Sequence, residues 1–318
     1  MEKKLTYRIR NWSKYNKALV QRGSITLWFS NETIEGWHEK ERTGKKGRPR
    51  TYSNDAILCA LMIRAVYHLP LRALRGFLLS LIALMSLSLS VPCYTRICRR
   101  AKELGQELKK LSRKRPTDIV FDSSGVKVYG EGEWKVRQHG KSKRRTWRKI
   151  HLAVCPDSQE IILSELTENN KADAPVACQM ISKLPKSVKT AFGDGAYDKQ
   201  NFYHSCHGRN IASKVPPRRG GRLSDQRKRP WMKDRNEALR AIRGLGGDDD
   251  ARKLWKKLCG YHKRSLAETA MYRFKRIFGG EFRSRKLEYQ RAELYAKSLV
   301  MNKMTKLGMP KGRWIVAA

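Results

Sequence analysis

The chain is 318 residues long and carries 69 Lys and Arg against 29 Asp and Glu, a formal net charge of +40 at pH 7. Such an excess repels cationic ligands and favours a polyanion, nucleic acid being the obvious one. With hydrophobic residues at 40% and aromatics at 9%, the chain can bury a core over two or three domains, which excludes a disordered basic tail.

Residues 1–50 are basic and aromatic (Trp12, Tyr15, Trp28, Phe29, Trp37) and close on Gly44-Lys-Lys-Gly-Arg-Pro-Arg50. A Gly-Arg-Pro core among cations suits an arm lying along a DNA minor groove through Arg48 and Arg50, and a solvated linker fits the same residues. Ser53-Asn54 predicts a cap for a helix running to about Tyr67, with Ile57, Leu58, Leu61, Met62 and Ala65 inside. Pro70 opens a second helix, Leu71 to about Met85. After Val91-Pro92, a strongly basic third helix runs to Leu104 and carries Arg96, Arg99, Arg100 and Lys102. Three short helices ending in a basic one fit an all-helical, helix-turn-helix-like domain over 51–115 that offers its third helix to DNA. A helical bundle with a merely solvated positive face is the alternative.

The apolar run from Phe77 to Val91 is shorter than the ~20 residues of a membrane span, so a buried helix and loop is expected, and no membrane partner. Charges throughout the first thirty residues leave no signal segment visible. The seven cysteines include no Cys-x2-Cys pair and read as reduced thiols of a cytoplasmic protein, here nucleoid-associated. His204-Ser-Cys-His207 lacks a second half at ligand spacing, which favours surface imidazoles over zinc.

Past the basic joint at Leu111–Pro116 the pattern changes. Ile119 to Phe121 predicts a short strand running into Asp122-Ser-Ser-Gly125. Trp147 to Cys155 alternates, turns at Pro156-Asp157 and returns as Ile161 to Leu166. A helix from Asp173, a strand Val188 to Phe192 ending in Gly193-Asp-Gly-Ala-Tyr-Asp198, a helix to about His207 and a strand Ile211 to Val215 complete an α/β domain with a mixed sheet over 116–300. Residues 213–243 hold eleven Lys and Arg against three acids, so 213–250 reads as a basic insertion rather than core. Asp248-Asp-Asp250 reads as the cap of a further helix, and 301–318 as a basic tail.

Between Gly260 and Gly279-Gly280 lies Tyr261-x2-Arg264-x3-Glu268-x6-Lys275, whose four polar members fall within about 60° of one another on a helical wheel. One five-turn helix would present Glu268 between cations. Asp122 and Asp194 each follow a strand, where ligands gather in such sheets, and the glycines around Asp194 let a substrate come close. Asp198 competes with Asp194, but its place before a helix favours capping. Three converging carboxylates repel one another. In a cationic protein that binds phosphodiesters, the natural resolution is one or two Mg²⁺ ions, with Mn²⁺ as a substitute, activating the attacking oxygen and stabilising the leaving one.

Pro92-x-Tyr94-Thr95-x3-Arg99-Arg100, Asp122-Ser-Ser-Gly-Val-Lys127, Trp147-Arg-Lys-x-His151, Gly193-Asp-Gly-Ala-Tyr-Asp198 and the Tyr261, Arg264, Glu268, Lys275 signature together resemble the bacterial insertion-sequence transposases of the IS5 group, DDE type. The resemblance runs in order from about residue 25 to 300. It implies an RNase H-like catalytic domain with Asp122, Asp194 and Glu268 as catalytic metal ligands, and Tyr261, Arg264 and Lys275 touching DNA near the cut. It further implies an N-terminal region that binds terminal inverted repeats, cleavage at the element ends, joining of the 3′-OH to target DNA, and a homodimer to pair two ends. A structure-specific nuclease would use the same ions without strand transfer, and a DNA-binding regulator of transposase origin would not need the carboxylates.

Overall fold

A computed structural model of the chain describes residues 5–40, 49–104, 111–112, 114–128 and 147–316 and divides into two compact units, residues 1–101 with 299–318, and residues 102–298. In chain order the strands are β1 (Leu5–Ile9), β2 (Asp118–Val128), β3 (Trp147–Val154), β4 (Ile161–Glu168), β5 (Thr190–Phe192), β6 (Ala212–Lys214), β7 (Glu281–Phe282) and β8 (Gly312–Val316).

In the first unit β1 pairs antiparallel with β8, Leu5 opposite Val316 and Ile9 opposite Gly312. The expected basic N-terminal arm and C-terminal tail are therefore corrected: Leu5–Ile9 and Gly312–Val316 are two strands of one sheet. Asn11 locks the pairing, its Nδ2 donating to the Met309 carbonyl (3.0 Å) and its Oδ1 accepting from the Lys311 amide (2.7 Å). Helices α1 (Trp12–Gln21), α2 (Ile25–Trp28) and α3 (Asn31–Glu35) follow. Of the aromatics expected on an arm, Trp28, Phe29 and Trp37 are core instead, while Trp12 is exposed. The indoles find acceptors there, Trp28 Nε1 on the Arg22 carbonyl and Trp37 Nε1 on the Ser90 carbonyl. Arg48 and most of the Gly-Arg-Pro stretch lie outside the described residues, and Arg50 is exposed.

Three helices stand where the periodicity predicts them, α4 (Asn54–Val66), α5 (Leu71–Leu84) and α6 (Tyr94–Leu104). Ser53 caps the first, its Oγ accepting from the Ala56 amide at 3.1 Å. α4 is buried almost all round, from Ala56 to Ala65. Among the described residues no single helix is long and apolar enough to cross a membrane.

The second unit is mixed α/β. Its six-stranded sheet has the order β4-β3-β2-β5-β6, with β7 also pairing β2. β2, β3 and β4 form an antiparallel meander, while β5, β6 and β7 run parallel to the strands they pair. Helices α7 (Asp173–Lys183) and α8 (Gln200–His207) pack with Ile119, Phe121, Ala153 and Ile162 in the main core. Covering both faces explains why β3 reads as alternating but buries His151 as well as Ile150 and Leu152. The basic insertion is more ordered than its composition suggests. It carries α9 (Lys233–Gly244) and α10 (Asp249–Leu258), which close a small core of Ala238, Ile242, Ala251 and Trp255. Asp248 caps α10, accepting from the Ala251 amide at 2.7 Å. Helix α11 (Ser265–Phe278) lies across β2 and β3, burying Ala267, Ala270, Met271, Phe274 and Phe278, and α12 (Leu287–Leu307) follows.

Candidate active site

Asp122 does not end a strand, contrary to expectation, since β2 continues through Ser123, Ser124 and Gly125 to Val128. The ladder to β3, from Val120 opposite Val154 to Lys127 opposite Trp147, holds these poor strand formers extended. On the other edge of β2, pairing with β5 stops at Val120 and pairing with β7 begins only at Lys127. Asp122 and Ser124 therefore face an unpaired stretch beside the point where β5 leaves the sheet as Gly193-Asp194. By strand alternation the two share a face with Val120 and Val126.

Asp194 opens a 3₁₀ turn, Gly195–Tyr197, and its Oδ1 accepts from the Ala196 amide at 2.9 Å. Gly193 is required for a different reason from the expected close approach of substrate. A Cβ there would stand 2.7 Å from the Tyr197 ring, which is buried against Phe121 and Phe202.

The expected single helix over 261–279 is instead a 3₁₀ turn, Tyr261–Arg264, followed by α11. Gly260 at φ +69° enters the tight turn and Gly279 at φ +75° ends the helix, both in the left-handed region where glycine costs least. Winding the first turn tightly lets the Tyr261 hydroxyl donate to the Gly193 carbonyl (3.2 Å), tying this segment to the residue before Asp194. Lys275 Nζ donates to Ser124 Oγ at 2.6 Å, tying the other end of α11 to β2.

All three carboxylates meet at one cation. The Arg264 guanidinium lies 2.6 Å from Glu268, 3.5 Å from Asp194 and 3.9 Å from Asp122. Side-chain exposure rises from the strand to the turn to the helix: 14% for Asp122, 39% for Asp194 and 52% for Glu268. Burial pushes the Asp122 carboxyl up to about 6. Arg264 opposes that rise and the other two carboxylates add to it. The Tyr261 phenol is likewise pushed up to about 12 by burial, so it remains a donor.

Asp198 is neither the cap nor a member of this group. Its buried carboxylate accepts from the Tyr203 hydroxyl, the Arg218 amide and Arg235 Nε at 2.7 Å, and the cap position of α8 is Lys199. In the first unit, Arg99 is exposed and Arg96 lies over the Tyr52 ring. Arg100, expected on a DNA-facing surface, is buried, donating to the Tyr52 carbonyl (3.0 Å) and to Asn54 Oδ1 (2.6 Å). A guanidinium needs acceptors, and here the chain supplies them. Sequence reasoning also missed Lys263, which pairs with Asp118 at 2.5 Å beside the same strand, and no local pattern marks that pair.

A carboxylate trio of hard oxygen donors suits a divalent cation of the Mg²⁺ type. Among the described residues the three do not close into a ligand cluster on their own. Each reaches the guanidinium, which stands in as the counter-charge.

Among solved structures the chain is similar to a chain of the simian T-cell lymphotropic virus intasome in complex with PP2A regulatory subunit B56 gamma, at 12% identity and TM-score 0.24, over 62% of this chain and 64% of that one. It thus spans just under two thirds of that chain. It is also similar to the piggyBac transposase synaptic complex with hairpin DNA (10%, TM-score 0.27, 95% and 84% covered) and to the Drosophila P element transposase strand transfer complex (10%, 0.30, 83% and 82%). Residues 20–131 match one sequence model described as a transposase DDE domain and residues 113–303 match a second with the same description. With well over half its length matched, the chain belongs to the DDE-domain family of DNA transposases.

Proposed function

We propose that the protein is a DNA transposase of the IS5 group that binds the inverted repeats of its element, cleaves at the element ends and joins the freed 3′-OH to target DNA. The observation that carries this reading is the convergence of Asp122, Asp194 and Glu268, which are 72 and 74 residues apart in sequence, on the single guanidinium of Arg264. The sheet order β4-β3-β2-β5-β6, antiparallel then parallel, supports an RNase H-like catalytic core.

On this reading Asp122, Asp194 and Glu268 hold the divalent metal with which this family works, Mg²⁺ with Mn²⁺ as a substitute. Bound there, it would activate the attacking oxygen and stabilise the leaving one in an in-line displacement. Asp122, the most buried of the three, must give up its proton to serve. Arg264 favours that loss and gains a phosphate as an alternative partner, its planar fork matching phosphate oxygens as well as carboxylates. Lys275 and Tyr261 hold the two ends of the catalytic segment against β2 and the Asp194 turn, and their cationic and hydroxyl groups line the approach for DNA. Cations of the first unit, Arg50, Arg96 and Arg99 among them, bind the repeat, and pairing two ends implies a homodimer.

The test is cleavage and joining of a linear DNA carrying the flanking inverted repeat, with Mg²⁺ and after its removal by chelation, wild type beside Asp122→Asn and Glu268→Gln. Expected are metal-dependent cuts at the repeat end with joined products, absent in both variants while DNA binding persists. Cutting retained by Glu268→Gln would overturn the site. Cuts without joining would make the protein a nuclease.

A further inference from the structure

The turn that starts at Asp194 ends at Asp198, and Asp198 forms the floor of a groove of about 610 Å³ in the basic insertion. Its carboxylate is sealed, 1% exposed and held by Tyr203, the Arg218 amide and Arg235. Arg235 is consumed by that ion pair and by the Arg222 carbonyl, to which its Nη1 donates at 2.9 Å.

The walls are different. Lys199, Arg218, Arg222, Lys228 and Arg229 line the groove, are exposed, and make no side-chain ion pair or hydrogen bond among the described residues. The only other acid lining it is Asp225, whose Oδ1 accepts from the backbone amide of Arg227. Five uncompensated cations around a neutralised floor repel one another. An arrangement of that kind is relieved by a polyanion threaded among them, and guanidinium forks fit phosphate oxygens in pairs.

We propose that this groove is a second phosphate-binding site, which takes the sugar–phosphate backbone of the DNA beyond the segment held at the carboxylate trio. The shared turn fixes the register. Asp194 and Asp198 are four positions apart, so their Cα atoms are no more than about 14 Å apart even if the turn were fully extended. At one phosphate per ~3.4 Å of axis along a strand, the floor of the groove lies within about four steps of Asp194. The register rests on the active-site reading given above; the binding itself does not.

The test measures binding of a fluorescent mixed-sequence duplex to the full chain without divalent metal, as a function of salt. The double variant Arg222→Gln/Lys228→Gln is compared with Lys186→Gln, an exposed lysine on the loop entering β5, at the opposite end of that strand from Asp194. Removing one cation from a phosphate lowers the slope of log K against log salt by about 0.9, so the double variant is expected to show a slope smaller by one to two units and roughly tenfold weaker affinity. Asp225→Asn, which removes the groove's open acid, is expected to bind tighter, an opposite sign that misfolding cannot produce. A double variant that weakens no more than Lys186→Gln overturns the proposal, as does an unchanged Asp225→Asn. Failure of the active-site reading would register instead as cutting by Glu268→Gln, with these slopes unaffected.

Discussion

Arg264 and Glu268 face one another at 2.6 Å across the first turn of α11, and the same guanidinium holds Asp194 and Asp122 within 4 Å. Glu268 is half exposed, so as an isolated surface pair this interaction contributes little. Its consequence lies with Asp122, whose carboxyl sits at about 6 because burial outweighs the guanidinium beside it. Since that value is raised from the ordinary 3.8, the folded protein holds this proton more tightly than the unfolded chain does. The stabilisation is complete below about pH 3.8 and lost as pH rises through about 6. Cleavage runs the other way. It should climb through about pH 6 as Asp122 ionises. Arg264→Gln removes the charge that opposes the rise, so the Asp122 carboxyl should move above 6 in a carboxyl NMR titration and the pH–rate profile should shift alkaline. The cleavage rate should fall roughly 10²–10³-fold, as when one preorganised electrostatic donor is removed. A carboxyl titration unmoved by the substitution would sever Arg264 from Asp122.

The two glycines of Gly193-Asp-Gly195 should respond very differently. An alanine Cβ at 193 would meet the Tyr197 ring at 2.7 Å, and that ring is wedged between Phe121 and Phe202. Overpacking of this kind costs about 1–3 kcal/mol, and relief must come from the backbone that carries Asp194. At 195 the nearest atom is the Pro216 carbonyl at 4.0 Å. Gly193→Ala should therefore lower the midpoint in thermal unfolding and depress cleavage, while Gly195→Ala stays within about 0.5 kcal/mol of wild type.

Much of this was legible in the sequence where a periodic pattern coincided with a local stop signal. The helices α4, α5 and α6 follow from apolar spacing with Ser53, Pro70 and Pro92 as punctuation, and the β3–β4 hairpin from alternation around Pro156-Asp157. The carboxylates stood out for their neighbours in the chain. What stayed hidden depends on partners distant in sequence. Ser123-Ser124-Gly125 is strand because β3 pairs with it, Trp37 is core where its indole reaches Ser90 and Trp28 where its carbonyl meets Cys59, and Asp198 is structural because Tyr203, the Arg218 amide and Arg235 reach it.

Arg99 and Arg100 are adjacent and equally charged, yet their substitutions should separate stability from binding. Arg100 is buried with its guanidinium on the Tyr52 carbonyl and Asn54 Oδ1. Arg100→Ala strands the buried Tyr52 carbonyl just before α4, at about 1–3 kcal/mol for an unsatisfied buried group. Arg99 is exposed. Arg99→Ala should leave urea unfolding unchanged and weaken DNA binding, with about one unit less salt slope if it meets a phosphate. Loss of binding without loss of stability in Arg100→Ala would return that residue to the DNA-facing surface.

His151 supplies an acid-sensitive element outside the carboxylate trio. It is 2% exposed in β3, its Nε2 paired with Thr167 Oγ1 at 2.9 Å and its Nδ1 3.6 Å from Asp173. Burial drives its pKa down from 6.5 to about 4, with Lys149 adding to the fall and Asp173 opposing it. Between those values the unfolded chain binds the proton and the folded protein does not, so this contribution is present above about pH 6.5 and lost as pH falls towards 4. At 1.36 kcal/mol per pH unit, the loss from about pH 7 to pH 5 is on the order of 2 kcal/mol. Asp122 acts with the opposite sign over part of that window, gaining stability as pH falls from about 6 towards 4. A single wild-type curve would therefore show the two partly cancelled. Urea unfolding of His151→Gln should lose the acid-side decline, and that of Asp122→Asn should steepen it. If both variants track the wild type from pH 7 to pH 5, neither group is held away from its ordinary titration by the fold.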